Sequence, residues 1–335
     1  MNDFKKVSES LETALRNEFD FRFATEVSLK EISRWRIGGP AAVFAEPSSI
    51  NEICALLAFM KNRPEPVVVV GGTSNILFDS DGFGGLVIKL GENFSNFIIE
   101  GSRIRAQAGA SVPQLVRAVA TEGLEGIVHA GGIPGTVGGL VVMNGGTQRR
   151  GIGEHVTKVL VTDAEGSIRE LNANELQFTY RNSVLKNSET TVLEVELLLK
   201  PGNAGELLAE LETILDQRSQ KFPEDLPNCG STFLSDPAMY SIVGPPGKAI
   251  EDAGLKGLRR GSAEISMQHA NFIVNHGDAS DDDILWLISA VRKEVYSRTG
   301  FVMDCEVLYL SYSGDFRPAH EVADEQWPDI DLVRN

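Results

Sequence analysis

A glycine-rich stretch at residues 126–146 constrains the fold of this chain more than any other segment. Seven of the sixteen residues from 131 to 146 are glycine, a density that an ordinary helix or packed strand does not tolerate. Because glycine permits positive φ and lets a ligand approach the backbone, such a run can present main-chain N–H groups in a concave nest. For this stretch alone two interpretations stay open: a nest for a pyrophosphate or the polar edge of a ring cofactor, and a set of tight turns.

A second glycine-rich turn, residues 71–75 (GGTSN), directly follows a run of four valines. The valines are typical of a strand covered on both faces, and a glycine-rich turn after a buried strand is a favoured place for backbone amides to meet phosphate. No Lys-Ser/Thr pair follows the turn, and neither stretch contains G-x-G-x-x-G, so the P-loop and the Rossmann fingerprint are both excluded. A simple hairpin turn remains the alternative.

Charge and length limit the classes of protein to consider. The chain has 335 residues, which predicts two or three domains, and its net charge of −16 argues against nucleic acid or an anionic membrane as a partner. Cys54, Cys229 and Cys305 lie far apart without C-x-x-C spacing, so neither a metal site nor a disulfide is predicted. No apolar run reaches the ~18 residues of a membrane span, and the first ten residues do not form a signal peptide. We therefore expect a cytoplasmic protein that acts on small molecules.

The hydrophobic pattern predicts an α+β chain. Helices are expected over 5–19, after a Ser49/Glu52 capping box, after a Ser111/Gln114 box, over about 207–221, and from a Ser280/Asp283 box to Gly300. Strands are expected over 42–45, 67–70, 86–90, 103–109, 158–162, 167–171, 190–200 and 301–310. Residues 201–205 are the best candidate for a domain boundary, and residues 311–335 are expected to be a disordered or loosely docked tail.

Several short motifs, taken in order, resemble the UDP-N-acetylenolpyruvoylglucosamine reductase (MurB) family. They are WRIGGPA from Trp35, VVGGTSN from Val69, GIPGTVGG from Gly132 with MN at 143–144, FTYRNS from Phe178, PNCGSTF from Pro227, AGLKG from Ala253, HANFIVN from His269, and Glu306. Each motif is weak alone, but eight of them in sequence are specific. The chain runs from Tyr180 into the next strand without an inserted tyrosine-bearing loop, which resembles the shorter-loop subtype.

The resemblance implies an α+β fold with a vanillyl-alcohol-oxidase-type FAD-binding region and a C-terminal α+β substrate domain. The expected order is an N-terminal helical extension (1–33), FAD-binding subdomain 1 (34–90), FAD-binding subdomain 2 (91–202), the substrate-binding domain (203–310) and an acidic tail (311–335). A monomer is expected.

The resemblance also implies how the cofactors bind: FAD non-covalently, with NADPH as co-substrate. Residues implied to bind FAD are Gly71, Gly72, Thr73, Ser74 and Asn75 at the pyrophosphate, Gly135, Thr136, Val137 and Gly138 along the flavin, and Arg218. Residues implied to bind the UDP-sugar are Tyr180, Lys221 and Asn271. His269 would either help to shape the site or have a purely structural role, and His129 is assigned no bond to the flavin.

The implied reaction is NADPH-dependent reduction of UDP-N-acetylglucosamine enolpyruvate to UDP-N-acetylmuramate for peptidoglycan synthesis. Hydride from flavin N5 would go to C3, and the resulting enolate needs fixed donors in a dry site. By resemblance, Arg181 and Glu306 stabilise that enolate, Glu306 in its protonated form, and Ser231 protonates C2.

Two other functions stay open: a different FAD-dependent oxidase or dehydrogenase of the same superfamily, and a non-catalytic UDP-sugar-binding paralogue. The chain departs from the family pattern at three places. Thr73 stands where glycine is usual and would be strained at positive φ. Leu234-Ser235-Asp236 and Thr147-Gln148-Arg149 replace common family residues, which puts one substrate contact and details of the FAD pocket in doubt.

Overall fold

The structure is a computed structural model that describes residues 2–147, 150–186 and 188–328. Its α-helices are α1 Asn2–Glu18, α2 Leu29–Ile32, α3 Ile50–Met60, α4 Val112–Thr121, α5 Val137–Val142, α6 Ala204–Lys221, α7 Pro237–Tyr240, α8 Pro246–Asp252, α9 Asp281–Thr299 and α10 Ala319–Gln326. Its strands are β1 Phe23–Ser28, β2 Pro40–Ala45, β3 Val67–Val70, β4 Ile76–Phe78, β5 Phe83–Lys89, β6 Phe97–Glu100, β7 Arg103–Gln107, β8 Leu124–Glu125, β9 Val156–Thr162, β10 Ile168–Asn172, β11 Thr191–Leu198, β12 Lys200–Pro201, β13 Arg259–Arg260, β14 Ala263–Ile265, β15 Ile273–Asn275, β16 Leu308–Leu310 and β17 Phe316–Pro318.

The chain forms two compact units. The first comprises Met1–Thr25, Val43–Gly72 and Gly85–Arg218. Its largest sheet has the order β10-β9-β11-β7-β6, with antiparallel pairing throughout. The predicted β9–β10 hairpin is confirmed, with Ile168 opposite Thr162. Strand β3 pairs in parallel with β5. Its valines Val68 and Val70 are buried, and the half-buried Val67 and Val69 pack against the core of this unit.

The second unit comprises Glu26–Ala42, Thr73–Gly84 and Ser219–Asn335. It contains two three-stranded sheets, β17-β16-β4 and β13-β14-β15, and β16 runs parallel to β4. Its core packs around the buried face of α9. Trp35 is fully buried there and donates from Nε1 to the carbonyl oxygen of Ile273 at 2.7 Å. Buried apolar side chains thus bring segments from both ends of the chain into one core.

Two of the three predicted capping boxes form at least in part. In the Ser280/Asp283 box both reciprocal hydrogen bonds are present. Ser49 accepts from the amide of Glu52 as predicted, but the Glu52 carboxylate reaches back to the amide of Ser48. The box predicted at Ser111 is wrong, because its side chain makes no capping bond. Ser111 instead pairs with Thr136 in an antiparallel bridge, so main-chain contacts with the glycine-rich stretch fix this helix start.

The strand predicted over 301–310 is wrong for most of its length, because only Leu308–Leu310 form a strand. The alternation of apolar residues along this segment still predicted burial correctly, since Met303, Cys305 and Val307 are all buried. Residues 304–306 bond to the irregular segment around Thr232 rather than to a regular neighbouring strand, with Leu234 N donating to Asp304 O and Glu306 N to Thr232 O.

The expectation of a disordered tail is wrong for the described residues after 310. Strand β17 pairs with β16, and helix α10 packs against α9 with Ala319, Val322 and Ala323 buried. The segment was misread because its three buried residues are small or lie among charged ones, which hides the apolar face. Residues 329–335 of the predicted tail lie outside the described residues.

The compact units do not follow the expected domain order. The chain passes from the first unit to the second for the last time after Arg218, inside α6, rather than at residues 201–205. The expected N-terminal helical extension also contains strand β1. In the described part of the chain, no helix is both long and apolar enough to cross a membrane, and no group of metal-ligating side chains was found.

Candidate active site

In the first unit the two glycine-rich stretches lie against each other. A Cβ atom on Gly72 would lie 2.5 Å from the Cα atom of Gly135, and one on Gly71 would overlap Thr136. All four residues are half-buried. Within the described residues, none of their four N–H groups donates to an intramolecular acceptor. Half-buried amides of this kind form an anion-binding nest, so these residues fit a diphosphate.

Val137 and Gly138 are situated differently from Gly135 and Thr136. Both are buried, and their amides donate to the carbonyl oxygens of Ala110 and Ala108, each at 2.8 Å. A Cβ atom on Gly138 would meet the Ala108 Cβ at 2.8 Å. The backbone of Gly138 therefore needs glycine for close packing, and its predicted position along a flavin stays a prediction.

Arg181 lies in a two-residue turn with an unusual backbone. Thr179 and Asn182 pair in an isolated bridge, exchanging N–H···O bonds of 3.0 and 3.2 Å, so Tyr180 and Arg181 form the tip. Arg181 has φ +52°, at the turn position where glycine is usual. Non-glycine residues in this region cost about 1 kcal/mol or more and cluster at functional sites. The turn presents the arginine beside Tyr180, a residue that is 46% exposed.

Two side chains hold this turn to the end of helix α5. Asn144 Nδ2 donates to the Thr179 carbonyl oxygen at 2.8 Å, and Ser183 Oγ donates to the Val142 carbonyl oxygen at 2.7 Å. Asn144 has φ +42°, in the left-handed region that asparagine tolerates better than most residues. The Arg181 turn is therefore anchored to the glycine-rich stretch. The contribution of Asn144 and Ser183 was missed, although both lie within the recognised motifs.

Arg218 also lies against the glycine-rich stretch. Its side-chain stem occupies the space that a Cβ atom on Gly132 would need. The close approach explains why glycine stands at position 132, and it brings a cation beside the loop predicted to bind FAD.

In the second unit the turn 73–75 serves as a structural tie. Thr73 has φ +50°, the strained conformation considered from sequence, and its hydroxyl donates to the Ile32 carbonyl oxygen at 2.5 Å. Asn75 Nδ2 donates to the main-chain carbonyl of Glu306 at 2.9 Å, and Asn75 O accepts from Leu308 N. Contacts of Thr73, Ser74 and Asn75 with FAD stay predictions. The observed role of Asn75 is to hold the segment that carries Glu306.

The segments of Ser231 and Glu306 are adjacent in this unit. Ser231 follows Gly230, which has φ +76° and whose amide donates to Asn228 Oδ1 at 2.9 Å. Thr232 directly follows Ser231, and its main-chain carbonyl accepts from Glu306 N at 2.9 Å. Two of the three predicted catalytic residues therefore lie on hydrogen-bonded segments. Arg181 belongs to the first unit.

Asn271 holds the Ser231 segment from its other side. Its carboxamide is buried and bonds twice to Phe233, accepting from N and donating to O, each at 3.0 Å. The main-chain carbonyl of Asn271 also accepts from Thr232 N at 2.8 Å. The contact with substrate predicted for Asn271 stays a prediction, since the observed bonds give it a positioning role.

Lys221 and His269 lie close together at the end of α6. Lys221 Nζ is 5.4 Å from the centroid of the Phe222 ring, and the His269 ring packs against both Phe222 and Phe272, which also stack on each other. Burial, assisted by the charge of Lys221, lowers the pKa of His269 to about 4. His269 is thus neutral, and its Nδ1 accepts from Asn271 N at 3.3 Å, which supports the structural reading of this histidine. In the first unit, burial followed by the charge of Arg150 similarly lowers the pKa of His129 to about 4.

Two family descriptions match the chain. Residues 41–172 match the FAD binding domain, and residues 220–310 match the C-terminal domain of UDP-N-acetylenolpyruvoylglucosamine reductase. These matches, with the mixed helices and strands described above, confirm the predicted α+β class with an FAD-binding domain, and its vanillyl-alcohol-oxidase type stays a prediction.

Individual relatives resemble the chain over most of its length. It is 38% identical over 279 residues to the UDP-N-acetylenolpyruvoylglucosamine reductase of Caldanaerobacter subterraneus subsp. tengcongensis, covering 83% of this chain and 90% of the relative. It is 37% identical over 305 residues to that of Moorella thermoacetica, covering 91% and 97%. The crystal structure of the Thermus caldophilus enzyme is similar with a TM-score of 0.73 and 30% identity, covering 86% of this chain and 99% of that one.

Proposed function

Because the chain belongs to the UDP-N-acetylenolpyruvoylglucosamine reductase family, we propose that it uses NADPH and FAD to reduce UDP-N-acetylglucosamine enolpyruvate to UDP-N-acetylmuramate. The product is a precursor of peptidoglycan, and the enzyme acts as a monomer in the cytoplasm. The structural observation that carries the proposal is the hydrogen bond from Glu306 N to Thr232 O, which joins the segments of two residues with complementary chemical roles.

The first unit supplies the groups that fit FAD. The amides of Gly71, Gly72, Gly135 and Thr136 are available to its diphosphate, and Arg218 adds a positive charge beside the same loop. FAD, when bound, accepts two electrons from NADPH and supplies a hydride to C3 of the enolpyruvyl group. The residues of the chain bind and orient the substrate, stabilise the negative charge that develops on it, and donate a proton to C2.

Arg181 and Glu306 stabilise the charge that develops on the substrate. Addition at C3 leaves carbanion character at C2, which delocalises into the substrate carboxylate. The planar fork of Arg181 suits that carboxylate, and the strained turn holds the arginine in one place. An ionised carboxylate facing an enolate would repel it, so Glu306 acts in its protonated form and donates a hydrogen bond.

Ser231 completes the reaction by giving the proton of its hydroxyl to C2. A hydroxyl is a weak acid, but the carbon base is transient and strong, and a positioned donor avoids solvent reorganisation. Gly230 and Asn228 shape the turn before Ser231, and Asn271 holds the two residues after it. Tyr180 and Lys221 bind the UDP-sugar, with Lys221 at its phosphates.

The Ser231→Ala variant tests these roles, with flavin absorbance followed anaerobically. Reduction of the flavin by NADPH should keep its rate, whereas reoxidation by the enolpyruvyl substrate should slow about a thousandfold, within the range for a general acid. Ser313→Ala, which changes an exposed serine of the same unit, should behave as the unchanged protein. Glu306→Gln, which keeps a hydrogen-bond donor, should slow reoxidation less than Glu306→Ala.

Other outcomes would contradict the proposal. Equal slowing of both half-reactions in Ser231→Ala would make Ser231 structural. Flavin that NADPH reduces but the UDP-sugar does not reoxidise would indicate a different flavin-dependent oxidoreductase. A purified protein without flavin would indicate a binding protein.

A further inference from the structure

A C-terminal extension, residues 311–328, follows the last residue matched by the family's C-terminal domain. The extension is an ordered part of the second unit. Strand β17 pairs with β16, with Leu308 opposite Pro318, and α10 buries Ala319, Val322 and Ala323. The contacts of this extension extend to the Glu306 segment, which we define as residues 303–308.

The Glu306 segment is held on two sides by different parts of the chain. On one side lie the Ser231 region and Asn75, with Thr232 O accepting from Glu306 N and Asn75 Nδ2 donating to Glu306 O. On the other side lies the extension. Cys305 N donates to His320 Nδ1 at 3.1 Å, and Ala319 N donates to Val307 O at 2.9 Å. The residues directly before and after Glu306 are therefore both bonded to the extension.

His320 is the one side chain of α10 that makes such a bond to the segment, among the contacts of the described residues. Because a main-chain amide only donates, Nδ1 must be the unprotonated nitrogen, and Nε2 carries the hydrogen. Nε2 faces Asp304 Oδ1 at 3.5 Å. The contact to Cys305 N thus requires a neutral histidine with one tautomer.

The surroundings of His320 favour that neutral form. Burial, followed by the charge of Arg292, lowers the pKa of His320, whereas Asp304, Glu321 and Asp324 oppose the shift. The Arg292 guanidinium also bonds Asp324 of α10 and Asp304 of the segment, so it ties the extension to the same place. The imidazole is therefore fixed by both its hydrogen-bond partners and its charged neighbours.

We propose that His320 is a positioning residue for the reaction, which holds Glu306 in register with the Ser231 region through the amide of Cys305. The proposal rests on the catalytic roles proposed for Glu306 and Ser231. A displacement of the Cys305 amide shifts the next residue, Glu306, and misplacement of a reacting group by about 1 Å can cost about 100-fold in rate.

Three substitutions at position 320 test this role. His320→Ala removes the acceptor, and reoxidation of flavin by the enolpyruvyl substrate should slow roughly 10- to 100-fold, with reduction by NADPH unchanged. In His320→Asn the carboxamide oxygen can take the place of Nδ1, so this variant should recover most of the rate. His320→Gln places its polar group nearer the position of Nε2 and should recover little. Thermal unfolding of each variant gives the matching measure of stability.

The outcomes separate this inference from the proposed function. Equal reoxidation rates in His320→Asn and His320→Gln, or a loss that follows thermal stability alone, would overturn the positioning role. That comparison stands even if His320→Ala does not fold. Arg317→Ala is the control, because it removes ion pairs with Asp315 and Glu325 on the same extension and no side-chain bond to the segment. If Glu306→Ala leaves reoxidation unchanged, the proposed function itself fails.

Discussion

The two units hold their candidate site residues in different ways. In the first unit the backbone forms most of the candidate site: glycines at 71, 72 and 135 allow two loops to touch, and Arg181 stands at the tip of a tight turn that two side chains anchor. In the second unit, side chains from distant segments clamp the main chain. Asn271 bonds Phe233 twice, Asn75 bonds Glu306, and His320 bonds Cys305.

The difference follows from what each part is proposed to do. A diphosphate is held by many amide dipoles at once, which requires bare backbone in a special conformation. A proton donor and a hydrogen-bonding acid must each be held in one place, and neighbouring side chains that bond the adjacent backbone achieve this. We therefore expect truncation of a side chain to lower stability more in the second unit. Addition of a methyl group to a glycine should be more damaging in the first.

The largest loss, in the free energy of unfolding, is expected for Asn271→Ala. The change leaves the buried N and O of Phe233 without their partner, at about 1–3 kcal/mol for each group, so unfolding in urea should show a loss of about 2–6 kcal/mol. Asn271→Asp keeps the acceptor for Phe233 N but places a buried carboxylate against the Phe233 carbonyl oxygen, so at neutral pH it should lose at least as much. A loss below 1 kcal/mol in the alanine variant would mean that this clamp does not hold the segment.

A smaller effect is expected for Gly72→Ala in the first unit. The added methyl group would lie 2.5 Å from the Gly135 Cα, so the loops must separate. Overpacking of this kind costs about 1–3 kcal/mol, which weakens FAD binding by roughly 10- to 100-fold in a titration of the apoprotein. Gly205→Ala, where the nearest neighbour is the flexible Asn203 side chain at 3.3 Å, should bind FAD normally. Equal affinities would show that the close approach of the loops is unimportant for FAD.

The smallest effect is expected for Asn144→Gly, which keeps the positive φ but removes the bonds to Thr179 O and from Gly153 N. The bond to Thr179 is exposed, so unfolding in urea should show a loss of about 1 kcal/mol, and turnover should fall less than in Asn271→Ala. Asn144→Ala loses the same bonds and adds strain from the positive φ, so it should be the less stable of the two. A larger loss in Asn144→Gly than in Asn271→Ala would reverse the comparison between the units.

Local features of the site could be read from sequence with a physical reason. The two glycine-rich turns and the alternating burial of 303, 305 and 307 follow from residue type and spacing, whereas the positive φ of Thr73 was considered only because glycine is usual there in the family it resembles. The capping box at Ser280 is likewise a contact between residues three apart. The box at Ser111 failed because pairing with Thr136 replaced it.

The clamps could not be read in the same way. Asn75 bonds a residue 231 positions away, and Asn271 bonds one 38 positions away, so neither partner is indicated by local pattern. The extension was misread for a related reason, since its small buried residues acquire a partner only where α9 is present.

The sequence by itself determined the family, the places where bare backbone must occur, and which residue types carry the chemistry, because glycine content, turn residues and motif order are properties of neighbours along the chain. Only the tertiary structure decided that Asn75, Asn271 and His320 support the main chain around Ser231 and Glu306. An amide or imidazole has the same donors and acceptors everywhere, and its role depends on which backbone groups the fold brings within about 3 Å of it.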